Sequence, residues 1–266
     1  MSVTGRAPEL GALLELWRTH DAAFEHVAPT WWGAEVSDRR YPAINEANYA
    51  RVEARTPVRL AEIEAELLPT GARGPRSHAV VFHPEEQTDL LAEVGTRGER
   101  ILWDLVMVHR GPATVGGRAE PASVVRTEEI RRFDEAFWFA HAGSARLFQV
   151  EDQATLEQLQ ALERETLIPL GRRWFTVRRE AEPAAFASLL VVDDTAYVDH
   201  VVTFPDARRR GYAEALTRRA LAEATEAGAT STFLLADPEG VAERIYRRIG
   251  FEPVTHLASW TSDRRR

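Results

Sequence analysis

The sequence predicts a mixed α/β protein, an α+β mixed sheet with helices on both faces. Segments in which apolar residues recur every three or four positions alternate with short runs rich in β-branched and aromatic residues. The first pattern is typical of amphipathic helices and the second of buried strands. Glycine or proline separates most of these segments, and 44% hydrophobic with 28% charged residues is the composition of a globular chain.

Composition also excludes several kinds of chemistry. The 266 residues contain no cysteine, which rules out disulfides, thiolate catalysis and cysteine-ligated zinc. All 33 basic residues are arginine, because the sequence has no lysine, and 41 acidic residues give a net charge of −8. An acidic excess argues against non-specific binding to nucleic acid.

The chain is predicted to contain two lobes, residues 1–115 and 116–266. Glycine and proline are concentrated at 110–121 (RGPATVGGRAEP), between two segments with regular hydrophobic patterns. The first thirty residues lack the pattern of a secretory signal, and no apolar run is long enough to span a membrane. We therefore expect a cytoplasmic protein without a membrane partner.

The first lobe is predicted to end in the order β-loop-α-β-α-β. Its helices are expected at 8–24, 57–68 and 84–94, and its strands at 47–53, 78–83 and 101–109.

The second lobe repeats this order after a hairpin around Glu182-Pro183. Helices are expected at 128–140, 155–166, 211–227 and 237–249, and strands at 173–178, 184–192, 195–204, 230–236 and 251–260. Gly228 and Gly250 are predicted to end the last two helices. Asp237 and Pro238 are predicted to be the N-cap and the first residue of the final helix.

The segment most informative about chemistry is VVTFPDARRRGYA, residues 201–213, in which a buried strand leads through an arginine-rich loop into a helix. A helix N-terminus presents unpaired N–H groups and the positive end of the helix dipole. Gly211 and Ala213 allow close approach to the main chain, and three arginines add charge-assisted donors. This combination favours a diphosphate ligand.

This loop resembles the phosphate-binding loop of the GNAT superfamily of acyl-CoA-dependent N-acyltransferases, which reads Q/R-x-x-G-x-G/A. The matching residues are Arg208, Gly211 and Ala213. A second block, A-x-x-x-Y-x-x-x-G-F, is present at Ala242, Tyr246 and Gly250-Phe251. The resemblance covers about residues 121–262.

The resemblance implies a GNAT-like N-acyltransferase fold in the C-terminal lobe and acetyl transfer from acetyl-CoA, as co-substrate, to a primary amine of a small molecule or peptide. A backbone N–H near Val201 would stabilise the oxyanion. Tyr246 would be the general acid, although a packed tyrosine is the alternative interpretation. The expected cofactor-binding residues are Val201, Val202, Thr203, Arg208, Arg209, Arg210, Gly211, Tyr212 and Ala213.

Two neighbouring residues are candidates for the catalytic base. Asp199 and His200 precede the expected cofactor-binding strand positions, and an ammonium with an ordinary pKa of roughly 10.4 must lose a proton before it attacks. Simple alternation predicts Asp199 on the face of Val201 and Thr203, with His200 opposite, whereas a bulge would reverse this. A structural carboxylate and a hydrogen-bonded core imidazole are the competing interpretations.

The other histidines show no metal-ligand spacing, so no metal site is expected. The first lobe resembles a degenerate GNAT copy, because Arg51–Val58 replaces the phosphate loop without its glycine. We expect this lobe not to bind CoA. Its aromatic residues either line the amine pocket or pack the lobes together; these are Trp31, Trp32, Tyr41 and Tyr49.

Two other functions remain as alternatives. A non-catalytic acyl-CoA-binding or regulatory protein would keep the loop without a working base. A nucleic-acid-binding module would use Arg208–Arg210 and Arg264–Arg266, although the net charge disfavours it. A homodimer is compatible with the sequence, which does not decide the oligomeric state.

Overall fold

The computed structural model describes residues 8–67, 77–111, 125–130, 150 and 152–262. The chain forms two compact units, each made of separate stretches of sequence. Unit 1 comprises Met1–Trp17, Val106–Glu151 and Leu167–Val254, and unit 2 comprises Arg18–Leu105, Asp152–Thr166 and Thr255–Arg266. The predicted boundary near residue 115 lies outside the described residues.

The described elements follow one another in a mixed order of helices and strands. They are α1 (Pro8–Asp21), β1 (His26–Pro29), β2 (Gly33–Ser37), β3 (Tyr49–Val52), α2 (Leu60–Glu66), β4 (His78–Phe82), α3 (Thr88–Thr96), β5 (Leu102–Arg110), β6 (Glu128–Ile130), α4 (Gln153–Leu162), α5 (Ile168–Leu170), β7 (Arg173–Arg179), β8 (Glu182–Val192), β9 (Thr195–Thr203), α6 (Tyr212–Glu226), β10 (Ser231–Ala236), α7 (Val241–Ile249) and β11 (Glu252–Ser262).

In unit 1 the strand order is β5-β10-β9-β8-β7-β6. β9 and β10 run parallel, whereas β6 to β9 form antiparallel neighbours. The buried rings of Trp174 and Phe186 pack 5.6 Å apart, together with Val202, on one face of this sheet. This face of β7, β8 and β9 carries the candidate site.

In unit 2 the strand order is β1-β2-β3-β4-β11. Only β3 and β4 pair in parallel among these neighbours. The core is built around Trp32, Ile63, Phe82 and Trp260, all at most 3% exposed.

The predicted fold class is confirmed, because each unit combines a mixed sheet with helices. The order β3-α2-β4-α3-β5 matches the prediction for the first lobe, and β9-α6-β10-α7-β11 matches the prediction for the second. Gly228 and Gly250 follow α6 and α7 with left-handed φ values of 93° and 111°. These helices therefore end at the predicted glycines.

One predicted helix is wrong at its start. Residues 128–140 were expected to be helical, but Glu128–Ile130 form β6, which pairs with β7, and residues 131–140 lie outside the described residues. Arg173 Nε lies 2.7 Å from Glu129 Oε1 across this pair. Pairing with a strand far along the chain thus overrides the local helical pattern.

Several other element ends differ because turns form where a helix was expected. α7 begins after Gly240 rather than at Pro238, since the Gly240 N–H donates to the Asp237 carbonyl at 3.0 Å and closes a turn. α3 begins at Thr88 rather than at Pro84. α4 ends at Leu162 and continues as a π-helical turn to residue 167.

The hairpin between β7 and β8 is present, but its turn lies at Glu180-Ala181 rather than around Glu182-Pro183. Glu180 and Ala181 have φ values of 53° and 73°, and Arg179 pairs with Glu182. Two positive φ values are typical of the turn type that matches strand twist in a two-residue hairpin.

Most of the aromatic residues expected either to line an amine pocket or to pack the lobes together belong to the interior of unit 2. Trp32 is fully buried in its core. The Tyr41 hydroxyl lies 3.1 Å from Thr166 Oγ1, and the Tyr49 hydroxyl bonds to Asp21. Trp31, by contrast, is 53% exposed. Three of the four residues are therefore committed to interactions inside their own unit.

Candidate active site

The loop between β9 and α6 leaves the N-terminus of α6 without a side-chain cap. Arg209 and Gly211 have left-handed φ values of 60° and 78°, and Gly211 is the N-cap residue. The first helical bond runs from the Ala215 N–H to the Gly211 carbonyl, at 3.0 Å. The N–H groups before Ala215 therefore face out of the helix end, where the helix dipole favours an anion.

Positive charge is concentrated at this helix end. Arg208, Arg209 and Arg210 are exposed, and no carboxylate of the described residues forms an ion pair with them. Arg208 Nε donates to the Thr203 carbonyl at 3.4 Å. A Cβ on Gly211 would have no neighbour within 4 Å, so space is open beside the main chain. The loop thus has the room and the charge that a diphosphate needs.

β9 and β10 pair at one end and separate at the other. The parallel pairing joins only Thr195–Tyr197 of β9 to Ser231–Phe233 of β10. β9 nevertheless continues to Thr203, so its later half has no registered partner on β10 within the described chain. Unpaired strand edges need hydrogen-bond partners, and an extended ligand can supply them as an added strand. The expected positions Val201–Thr203 lie in this half.

His200 is part of a β-bulge. Asp199 lies opposite Ser188, and Val202 lies opposite Phe186, so β9 has one residue more than β8 between these two pairs. His200 has a φ of 50°, which is uncommon for a residue other than glycine. Such conformations persist where the surrounding structure holds them, often at functional sites.

The bulge places Asp199 and His200 on one face of the sheet. Trp174 and Asp199 both lie opposite Ser188, on its two sides, and the His200 ring packs 5.4 Å from the Trp174 ring. Thr203 pairs with Ala185 and points to the other face. Simple alternation is therefore wrong for Asp199 and right for His200, because the bulge moves Asp199 to the face of His200 and does not reverse both residues.

Asp199 and His200 form a close carboxylate–imidazole pair. His200 Nδ1 lies 2.9 Å from Asp199 Oδ2, and the His200 main-chain N–H donates to Asp199 Oδ1 at 2.7 Å. Burial opposes ionisation of the Asp199 carboxyl, but the charge and hydrogen bonds of His200, with the charge of Arg172, lower its pKa below the usual value. Asp199 is thus a carboxylate at neutral pH.

Tyr246 on α7 is the third residue of the predicted catalytic set. Its side chain is 5% exposed and packs 6.0 Å from the Phe251 ring. Burial, and secondarily the negative charge of Asp199, raise the pKa of Tyr246 to about 12. Its hydroxyl therefore carries a proton at neutral pH, and its pKa depends on the charge of Asp199.

The glycine and phenylalanine after α7 are explained by packing on β5. A Cβ on Gly250 would approach the His109 ring to 3.2 Å. The Phe251 ring packs 5.6 Å from the same His109. The second sequence block therefore combines a candidate catalytic tyrosine with residues that seat its helix.

The described residues contain neither a cluster of metal ligands nor a helix that could span a membrane. No group of three or more histidine, aspartate or glutamate side chains among them has an arrangement that could hold a metal ion. Within the same residues, no helix has both the length and the apolar character needed to cross a bilayer.

A family model, the Acetyltransferase (GNAT) family, matches residues 129–251. The match contains β9, the arginine-rich loop, α6, β10 and Tyr246. Residues 129–251, slightly less than half of the chain, are thus similar to GNAT acetyltransferases and are called the GNAT domain below. Members of that family use acyl-CoA and acetylate amines.

Solved structures resemble the chain well beyond the GNAT domain. A GCN5-related N-acetyltransferase from Kribbella flavida is 17% identical with a TM-score of 0.65, and the alignment covers 94% of each chain. A functionally unknown conserved protein from Staphylococcus epidermidis ATCC 12228 is 12% identical with a TM-score of 0.60, covering 86% of this chain and 90% of that one. At these identities the likeness concerns the fold. A search of curated proteins found no match.

Unit 2 has the strand and helix order of the GNAT domain without its open site. At the start of α2, the Leu60 N–H donates to Glu93 and the Arg59 N–H to Glu62, both at 2.8 Å. β3 pairs with β4 along its whole length, from Tyr49 to Val52. Carboxylates thus occupy the helix end that the GNAT domain leaves open, and the two strands do not separate.

Sequence reasoning missed three residues around Asp199. Arg172 contributes positive charge, Trp174 packs on His200, and Ser188 lies directly opposite Asp199. Each belongs to a segment that precedes β9, and no local motif marks it. The register between β7, β8 and β9 was the missing information.

Proposed function

We propose that the GNAT domain transfers an acetyl group from acetyl-CoA to a primary amine of a small molecule or a peptide. One observation carries the proposal. Within unit 1, an uncapped, arginine-rich helix end and the half of β9 that has no registered partner on β10 adjoin a bulge with a carboxylate–imidazole pair. The charge of this pair's carboxylate raises the pKa of Tyr246.

The residues present fit acetyl-CoA, which would supply the activated acetyl group as a thioester. The N–H groups from Arg209 to Ala213, with the three arginine side chains, would hold its diphosphate. The main-chain edge of Val201–Thr203 that faces away from β8 would bind the amide groups of its pantetheine arm. These assignments are supported by the absence of a cap at Gly211 and by the early end of the β9–β10 pairing.

The reaction moves protons at two places. The amine must lose one before it attacks, and the departing thiolate gains one. The Asp199–His200 pair would accept the first proton, with Asp199 orienting the imidazole through Nδ1, 2.9 Å away. Tyr246 would donate the second, since burial keeps its hydroxyl protonated at neutral pH.

The charge of Asp199 connects these two proton transfers. Part of the rise in the pKa of Tyr246 comes from this carboxylate. A cationic ammonium beside Asp199 would offset that charge and lower the pKa of Tyr246 towards a value suited to donation. The acid would therefore become stronger when an amine is bound.

The test pairs two measurements on the full chain. Isothermal titration with acetyl-CoA measures binding, and thiol release over a panel of primary amines measures turnover. Binding with release of thiol on at least one amine is the expected result. Tight binding without turnover on any amine would instead favour the non-catalytic acyl-CoA-binding protein.

A substitution locates the binding site. Gly211→Asp should abolish binding of acetyl-CoA, because it places a side chain and a negative charge at the helix end. Gly98→Asp is the matched control, since Gly98 in unit 2 has the same open surroundings and a φ of 76° against 78° for Gly211. Unchanged affinity in Gly211→Asp would contradict the site.

A further inference from the structure

We propose that Ser188 is a positioning residue for Asp199, whose carboxylate receives a hydrogen bond from the Ser188 hydroxyl. The inference rests on the proposed function, because it concerns the same proton transfer. It adds a residue on a different strand that no motif of the sequence identifies.

The Ser188 hydroxyl is buried without a partner. The residue is 1% exposed in the middle of β8, and its Oγ has no hydrogen-bond partner among the described residues. An unsatisfied buried hydroxyl destabilises a fold, so each one calls for an explanation. Thr176 on the neighbouring strand shows the ordinary case, because its Oγ1 donates to the Ala185 carbonyl at 2.9 Å.

Register places an acceptor within reach of Ser188. It pairs directly with Asp199 on β9 and with Trp174 on β7, so all three side chains share a face. Side chains at directly opposite positions have Cβ atoms about 4.5–5.5 Å apart, which rotation of a serine hydroxyl can bridge to a carboxylate. The indole of Trp174 is only a donor, which leaves Asp199 as the acceptor of the two.

Asp199 has the capacity to accept this bond. Its carboxylate already interacts with the main-chain N–H and Nδ1 of His200, and a carboxylate offers about four acceptor positions. Both existing partners belong to one residue, whose imidazole changes its proton during catalysis. A donor on β8 would hold the carboxylate in place whatever the protonation state of that imidazole.

The other charged groups that act on Asp199 are identified. They are His200 on its own strand and Arg172 just before β7, while the Tyr246 hydroxyl on α7, uncharged at neutral pH, responds to the charge of Asp199. Ser188 is uncharged, so its removal leaves these charges unchanged. A change in the titration of Asp199 after that removal would therefore report the lost hydrogen bond.

The experiment titrates the Asp199 carboxyl carbon by 13C NMR in the full chain without substrate. Ser188→Ala should move its midpoint to higher pH, because a hydrogen bond to the charged form favours ionisation. Ser188→Thr, which keeps the hydroxyl, should restore the wild-type midpoint, and Thr176→Val should not change it. An unchanged midpoint in Ser188→Ala would overturn the proposal.

Two further arrangements keep the outcomes distinct. If Ser188→Ala does not fold, Ser188→Cys takes its place, because cysteine preserves the volume of the side chain and is only a weak donor. The midpoint of Asp199 in Ser188→Cys should then also move to higher pH. The titration needs no acetyl-CoA. A raised midpoint in a chain inactive on all amines would therefore contradict the proposed function alone, whereas an unchanged midpoint in an active chain would contradict the role of Ser188 alone.

Discussion

At the scale of single residues, Asp199 is the charge on which the candidate chemistry depends. It is held as a carboxylate by His200 and Arg172, and its charge raises the pKa of Tyr246. The side chain is 32% exposed, so an ammonium can approach it from solvent. The Asp199 carboxylate would thus orient the His200 imidazole, attract the ammonium of the substrate and set the pKa of Tyr246.

Tyr246→Phe tests the acid. We expect turnover to fall by about 100-fold or more, because a positioned general acid commonly contributes that much, while affinity for acetyl-CoA stays near the wild-type value. Thiol release and isothermal titration measure the two quantities. Tyr41→Phe is the control, a buried tyrosine of unit 2 whose hydroxyl lies 3.1 Å from Thr166. An undiminished rate in Tyr246→Phe would return the residue to a packing role.

Asp199→Asn tests the ionisation of the carboxylate through stability. The pKa of Asp199 is lower in the folded protein than in the unfolded chain, where it is about 3.9, so ionisation of this carboxyl stabilises the fold. The stabilisation is complete above the pKa of the unfolded chain and is lost as the pH falls through the pKa of the folded protein. Urea unfolding at several pH values should therefore show that the free energy of unfolding of the wild type exceeds that of the variant by the largest amount above about pH 4 to 5. A difference that grows towards acid pH would contradict the lowered pKa.

At the scale of elements, two helix ends show how the same order of strands and helices produces different chemistry. The N-terminus of α6 starts from Gly211 without a cap, whereas Glu62 and Glu93 bond to the N–H groups at the start of α2. Gln87 further fills the loop before α2, since its amide bonds to Val58 and Ala54. Satisfied donors leave nothing for an anion to bind.

Gly250→Ala tests how α7 is seated. The left-handed φ of 111° and the 3.2 Å approach of a Cβ to His109 should lower the free energy of unfolding by about 1–2 kcal/mol. Gly95→Ala, inside α3 with nothing within 4 Å, should instead raise it by about 0.5–1 kcal/mol. Denaturant unfolding of both variants measures the contrast, and equal effects would contradict the explanation.

At the scale of the whole molecule, charge is acidic overall and basic where the cofactor would bind. The net charge is −8, yet three exposed arginines precede α6. Anion binding here thus depends on local geometry and not on the sign of the molecule. Both units repeat one order of elements, but among the described residues only unit 1 combines the uncapped helix with separated strands.

This difference predicts the stoichiometry. We expect one acetyl-CoA per chain by isothermal titration, because carboxylates occupy the helix end of α2 and β3 stays paired with β4. Glu93→Ala, which removes one of those carboxylates, should leave the stoichiometry at one, since the closed strand pair remains. Two sites per chain in the wild type would contradict this interpretation of unit 2.

The sequence predicted much of the fold because many of its signals are local. Strands rich in β-branched residues and helices ended by Gly228 and Gly250 were found near their observed bounds. The start of β6 was mistaken for a helix because its strand state depends on pairing with β7, about 45 residues later. Likewise, Pro238 has the features of a helix start, but the turn from Asp237 to Gly240 delays it.

By itself, the sequence determined the arginine-rich loop, the helix that follows it and the tyrosine block, since residue type at fixed spacing decides all three. Only the tertiary structure decided which side chains surround Asp199. The bulge at His200 arises from the register of β9 against β8, and it turns Asp199 towards Trp174 and Ser188. A shift of one residue reverses every face of a strand, so only the paired sheet could specify that neighbourhood.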